Sequence, residues 1–139
     1  MIQIDVEGRP APKGSRIHGR TKTGKSFTRP ASKYEQPWVE RVKGETQIAM
    51  RHHTQIDPPY TVELEFRLKR PQRNQHQQTW PTQHDLDKLA RAVVDGLVLG
   101  GAMLDDRHVI ALTVRKRYAE PGETTGCACA VSACLASVR

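Results

Sequence analysis

Four carboxylates bracket one helix-length stretch of the chain. In QHDLDKLARAVVDGLVLGGAMLDD, residues 83–106, Asp85 and Asp87 stand at the start and Asp105 and Asp106 at the end. Carboxylates are oxygen-only ligands, which suit hard divalent ions such as Mg²⁺ or Mn²⁺. Such ions acidify water and stabilise the charge that develops on a phosphate during phosphodiester hydrolysis.

Each pair also has a plain structural reading. Asp85 just before a helix and Asp87 in its first turn suit helix capping and the dipole. LDDRHV can be an acidic turn before a strand. Chain geometry permits more. A helix over Leu86–Leu99 carries the chain about 20 Å away at about 1.5 Å per residue. The seven residues Gly100–Asp106 can return at most about 23–25 Å when extended, so Asp105 and Asp106 can come back to Asp85 and Asp87. Converging like charges cost several kcal/mol or force pKa values upward unless a cation intervenes. Arg91, one turn after Asp87, can hold Asp87 or reach a substrate phosphate; a surface i, i+4 ion pair is its structural alternative. Asp95 continues that row and reads as a surface residue outside the site.

The rest of the chain is basic. Its 139 residues hold 22 Lys+Arg against 15 Asp+Glu, a net charge of +7, which favours a polyanionic partner. Residues 1–34 carry Arg9, Lys13, Arg16, Arg20, Lys22, Lys25, Arg29 and Lys33 against Asp5 and Glu7. Acids clustered within a phosphate-attracting protein read as a nuclease. The length is that of one domain, spanning 1–139. No apolar run approaches the roughly 20 residues of a membrane helix, and nothing resembles a signal peptide, so a cytoplasmic protein is expected. Cys127, Cys129 and Cys134 lack the C-x2-C pairs of common zinc sites and read as small buried residues of a last strand.

The elements that must position the acids follow from periodicity. MIQIDVEG alternates as a half-buried strand, and a basic, mobile loop is expected over about residues 9–31. A helix follows from about Ser32, with Trp38, Val39, Val42, Thr46, Ala49 and Met50 along one side. Its start is open between a Ser32/Glu35 capping box and a later start that places Pro37 in the first turn. PYTVELEFRLKR sets Tyr60, Val62, Leu64, Phe66 and Leu68 on one face and Glu63, Glu65, Arg67 and Lys69 on the other, which predicts a sheet with one wet face. A Gln/Pro-rich loop spans about residues 70–84. Leu86, Leu89, Ala90, Val93, Val94 and Leu97 then define a helix that Gly100 and Gly101 end. HVIALTVRKRY and GCACAVSACL read as the last two strands. The expected order is strand, helix, strand, helix, strand, strand, a compact α+β domain with a mixed or antiparallel sheet and two main helices.

DLDKLARAVVDGL followed by LDDRHVIALTVRKRY resembles the RusA family of Holliday-junction resolvases, and GRPAPKGS resembles that family's N-terminal strand-to-loop signature. The resemblance implies a RusA-like fold and a Mg²⁺-dependent homodimer, with Mn²⁺ as a substitute ion, that cuts four-way DNA junctions. It also implies that Asp85, Asp87 and Asp106 bind the metal. Two positions depart from the family pattern. Lys88 stands where the family has Asn, and Arg91 stands where it has a catalytic Lys. Arg91 keeps the charge without a transferable proton, which leaves it electrostatic stabilisation of the transition state. His108 stands at a family Gln and is assigned no role. Resolving a two-fold-symmetric junction needs paired nicks, which a C2 dimer supplies with two equivalent sites.

Candidate phosphate contacts are Lys13, Arg16 and Arg20 in the first loop and Lys69, Arg70 and Arg73 in the second; such contacts position a substrate without reading its sequence. Two other readings share the fold. One is a branched-DNA-binding module that has lost turnover through Lys88 and Arg91. The other is a metal nuclease acting on other branched DNA or on RNA.

Overall fold

The computed structural model describes residues 1–14, 16–72 and 79–134. Arg73 and the end of the expected last strand, from Leu135, lie outside the described residues. The elements run β1 (Ile2–Glu7), β2 (Arg16–Arg20), β3 (Ser26–Pro30), α1 (Glu35–Ala49), β4 (Tyr60–Leu68), α2 (Leu86–Leu99), β5 (Val109–Tyr118) and β6 (Gly126–Ala133). The fold is α+β. One four-stranded sheet has the order β1-β6-β4-β5, and β2 and β3 form a separate two-stranded sheet. β6 lies antiparallel between β1 and β4, while β4 and β5 run parallel. A parallel pair requires a crossover, and α2 is that crossover.

Period-2 alternation decides the sheet's faces. Ile2, Ile4 and Val6, with Val62, Leu64 and Phe66 and with Cys127, Cys129 and Val131, are buried in one cluster with Trp38 and Val42 of α1 and Leu89, Val93 and Leu97 of α2. Both helices therefore cover the same face. Each fully buried aliphatic side chain there contributes about 1.5–3 kcal/mol. The opposite face presents Gln3, Asp5, Glu63, Glu65, Thr113 and Arg115 along a shallow groove, which is the expected wet face. Arg67 departs from it: it is 6 % exposed, because its guanidinium donates to both carboxylate oxygens of Asp5 and to Thr124 O.

The helices meet across glycines. A Cβ at Gly96 would lie 2.6 Å from Val42 Cβ, and one at Gly100 would lie 2.4 Å from Thr46 Cβ. Bare backbone at these positions lets α1 seat against α2.

Two expectations need correction. The basic stretch at 9–31 is not a loop throughout. Residues 16–20 and 26–30 pair as an antiparallel hairpin, His18 opposite Thr28 and Gly19 opposite Phe27. Thr21 and Gly24, the latter at φ +84°, close its turn, with Thr21 N–H donating to Lys25 O and Gly24 N–H to Thr21 O. Both of its faces are largely exposed, so no apolar alternation marks it. The capping box at α1 does not form either. Ser32 Oγ accepts from Tyr34 N–H, Tyr34 is the N-cap without a side-chain cap, and Glu35 is buried, accepting from Gly14 N–H. Pro37 falls in the first turn, where its missing N–H costs nothing.

Candidate active site

α2 begins at Leu86 and ends at Leu99, with Asp85 as N-cap and Gly100 as C-cap. Its buried stripe of Leu89, Ala90, Val93 and Leu97 fixes its rotation against the sheet, leaving Asp87 and Arg91 exposed. Asp85 has extended backbone and makes no side-chain cap bond. Its carboxylate, 73 % exposed, lies 3.8 Å from Lys88 Nζ and is free to do other work.

The turn before Asp85 is unusual. His84 adopts φ +66°, a left-handed conformation uncommon for a non-glycine residue. Lys116 of β5 donates from Nζ to His84 O at 2.7 Å and to Gln83 O at 3.4 Å. Burial, then the charges of Lys116 and Arg9, lower the pKa of His84.

The second acid pair sits at the other end of the helix. Ala102 and Met103 are buried, and Leu104 N–H donates to Tyr60 Oη. Those contacts hold the chain at the start of β4, from which a short 3-10 turn at Asp106–His108 leads into β5. Asp105 accepts from Arg107 N–H. That bond, with one to Asp106, lowers the pKa of Asp105. The hydrogen bond that a protonated Asp106 donates to Asp105, partial desolvation and the charges of Asp105 and Asp95 raise the pKa of Asp106.

A groove of about 770 Å³ runs between α2 and β5, with Leu86, Ala90, Val94, Val109, Leu112 and Val114 among its walls and Asp87, Arg91 and Asp106 at its rim. The structure thus brings Asp87, Arg91 and Asp106 to one groove. It does not gather the acids of one chain into a cluster. His84 O contacts Lys116 near the end of β5, whereas Asp106 precedes its start. The seven-residue step from Lys116 to Val109 at about 3.3 Å per residue places Asp85 and Asp106 on the order of 20 Å apart. Among the described residues no group of three or more His, Cys, Asp or Glu side chains is close enough to hold a metal ion. The return path is used to pack Ala102 and Met103 rather than to fold back onto the helix start.

The other expected site residues divide. Arg91 forms no ion pair with Asp87. Its guanidinium lies over Gly14, where a Cβ would come within 2.5 Å of Nη1. Lys13 is held on α2, its N–H donating to Lys88 O and its ammonium paired with Asp95. Arg16 and Arg20 project from the β2–β3 hairpin, exposed, with Arg16 bonded to Thr28 Oγ1. Lys69 is exposed, and Arg70 stacks on the ring of Tyr118.

Sequence reasoning missed Asp95, which bears on both Lys13 and Asp106; its spacing of one turn from Arg91 was the available signal. Lys116 and His84 gave none, because only the fold brings residue 116 to residue 84. Cys127 and Cys129 behave as expected of a last strand, whereas Cys134 is half-buried and follows the end of β6. Cys127 and Cys129 are buried, and their mutual hydrogen bond, then burial, push the Cys127 thiol up. Among the described residues no helix is long and apolar enough to cross a membrane.

The donor set of Asp85, Asp87 and Asp106 is all oxygen. Such a donor set fits a hard divalent cation. A family model described as Endodeoxyribonuclease RusA matches residues 7–125. No curated protein matches the chain.

Proposed function

The chain belongs to the RusA family of endodeoxyribonucleases, and from that membership we propose that it resolves four-way DNA junctions by paired, Mg²⁺-dependent phosphodiester cleavage as a homodimer. The observation that supports this reading most is the α2–β5 groove, lined by Asp87 and Arg91 on α2 and by Asp106 before β5, in a chain of net charge +7; the two acids lie toward opposite ends of the groove, so a second copy is needed to bring them together. Exposed carboxylates beside a fixed guanidinium in a phosphate-attracting protein suit a bound divalent cation.

The dimer reading rests on the open edge of the sheet. Among the described residues β5 has no strand on its outer side, and Ile110 and Leu112 are 50 % and 48 % exposed along it. An unpaired, apolar edge is a template for another strand. β5 of a second copy, antiparallel on this edge, would obey two-fold symmetry and bury those side chains. The start of the partner's β5, with the partner's Asp106, would then lie beside Lys116, His84 and Asp85. Each site would combine Asp85 and Asp87 from one chain with Asp106 from the other. That arrangement accounts for the lack of an acid cluster within one chain.

In this site Asp85, Asp87 and Asp106 would hold the divalent ion, which when bound supplies charge neutralisation at the scissile phosphate and acidifies water. Arg91, fixed over Gly14, presents a charge that does not titrate to the developing phosphorane oxygens. Lys13 neutralises Asp95, which removes one acid from the field that a phosphate must enter. Arg16 and Arg20 on the hairpin, with Lys69 and Arg70, would contact backbone phosphates of the junction arms.

The test is incubation of the protein with a labelled four-way junction and a matched linear duplex, with and without Mg²⁺. Paired cuts of the junction alone, with Mg²⁺ alone, are expected. Binding without cutting would identify a non-catalytic junction-binding module, and equal cleavage of the duplex, or of RNA, would remove junction selectivity.

A further inference from the structure

We propose that Lys116 is a positioning residue for the metal site: its ammonium clamps the left-handed turn at His84 and so aims Asp85. This rests on the reading of Asp85 as a metal ligand. The geometry is a cross-link from β5 to the turn that leads into α2. Lys116 lies on β5, in register with Phe66 of β4, and is therefore held by the sheet. Its Nζ reaches two consecutive carbonyls, His84 O at 2.7 Å and Gln83 O at 3.4 Å, just before the N-cap of α2.

The turn needs such a restraint. His84 at φ +66° occupies a region that L-residues adopt at a cost, and without a clamp the segment can relax to extended backbone and swing the Asp85 carboxylate away. Asp85 makes no side-chain cap bond that would hold it instead. Two consecutive carbonyls converging on one ammonium form an electronegative notch, which a Lys fills and an apolar side chain does not. Residues that orient a metal ligand through hydrogen bonds typically change metal affinity by about 10–100-fold when removed.

The experiment compares wild type, Lys116→Met, Lys116→Arg and Lys116→Met/His84→Gly by three readouts. In metal-free protein, backbone amide exchange at residues 84–87 should quicken in Lys116→Met and stay near wild type in Lys116→Arg, which can still donate to both carbonyls. The Mg²⁺ concentration for half-maximal single-turnover junction cleavage should rise about 10–100-fold in Lys116→Met, with the rate at saturating Mg²⁺ largely retained. Adding His84→Gly should recover part of that shift, because glycine adopts positive φ without cost. Junction affinity without metal should be unchanged. A loss of metal-free affinity would make Lys116 a phosphate contact, and unchanged exchange at 84–87 would overturn the clamp. If the wild type cuts no junction, the nuclease reading fails while the exchange data still decide the clamp.

Discussion

The proposed composite site makes an unusual demand on mixtures of dead proteins. Asp87→Asn and Asp106→Asn should each abolish cutting while leaving metal-free junction binding intact, since each removes one ligand and one negative charge near a phosphate. In the proposed dimer each site takes Asp87 from one chain and Asp106 from the other. A mixed dimer would then place both lesions in one of its sites and leave the other whole. Free exchange of equal amounts gives about half mixed dimers, each with one intact site of two, hence about a quarter of the wild-type nicking capacity. Paired cuts should not return. A supercoiled plasmid that extrudes a cruciform reads both results at once, since one nick gives an open circle and paired cuts give a linear molecule. Exchange is verified by co-purification of differently tagged chains. If the mixture has exchanged and nicks nothing, each site lies within a single chain and the β5 edge is not where the acids meet.

Other outcomes follow from single contacts. Arg91→Ala should lower the single-turnover rate by about 10²–10³, the scale of one transition-state donor, while Arg91→Lys retains much of it. Neutralising Arg16 and Arg20 together should flatten the salt dependence of junction binding by about 2 in log–log slope, at about 0.9 per phosphate contact; Lys13→Gln should leave it unchanged because Asp95 already holds that ammonium. Asp105→Ala removes the main cause of the raised Asp106 pKa. An ionised Asp106 is lost as pH falls through that raised value, so the acid limb of Mg²⁺-dependent cleavage should move to lower pH in the mutant, as a pH–rate profile would record. Gly44→Ala, on α1 with open space around it, should stabilise the fold by about 0.5–1 kcal/mol. The same change at Gly96 should cost about 1–3 kcal/mol through overpacking on Val42, measured by urea unfolding.

Much of this was legible in the residues because local periodicity and burial agree. The Leu86–Leu99 helix and the face carried by Tyr60, Val62, Leu64, Phe66 and Leu68 are set by patterns that the sheet simply receives. The hairpin at 16–30 was hidden because both of its faces are wet, so cross-strand pairs such as Gly19 with Phe27 hold it without an apolar stripe. The destination of Asp106 was hidden for another reason. Chain length bounds how far a loop can reach, but where it goes is decided by what it buries, here Ala102 and Met103. The roles of Lys116 and His84 are contacts of tertiary origin and leave no mark on nearby sequence.

The hairpin's independence from the core has a consequence for how such a protein can change. None of the residues of β2 or β3 belongs to the buried cluster, and the two strands pair with each other rather than with the main sheet. Lengthening, shortening or recharging this projection leaves the packing of α1, α2 and the sheet untouched. Substitutions there are screened only by what the projection touches outside the molecule. Variation in reach and grip can therefore accumulate, or be grafted from one chain to another, at no cost to the scaffold that aligns the carboxylates.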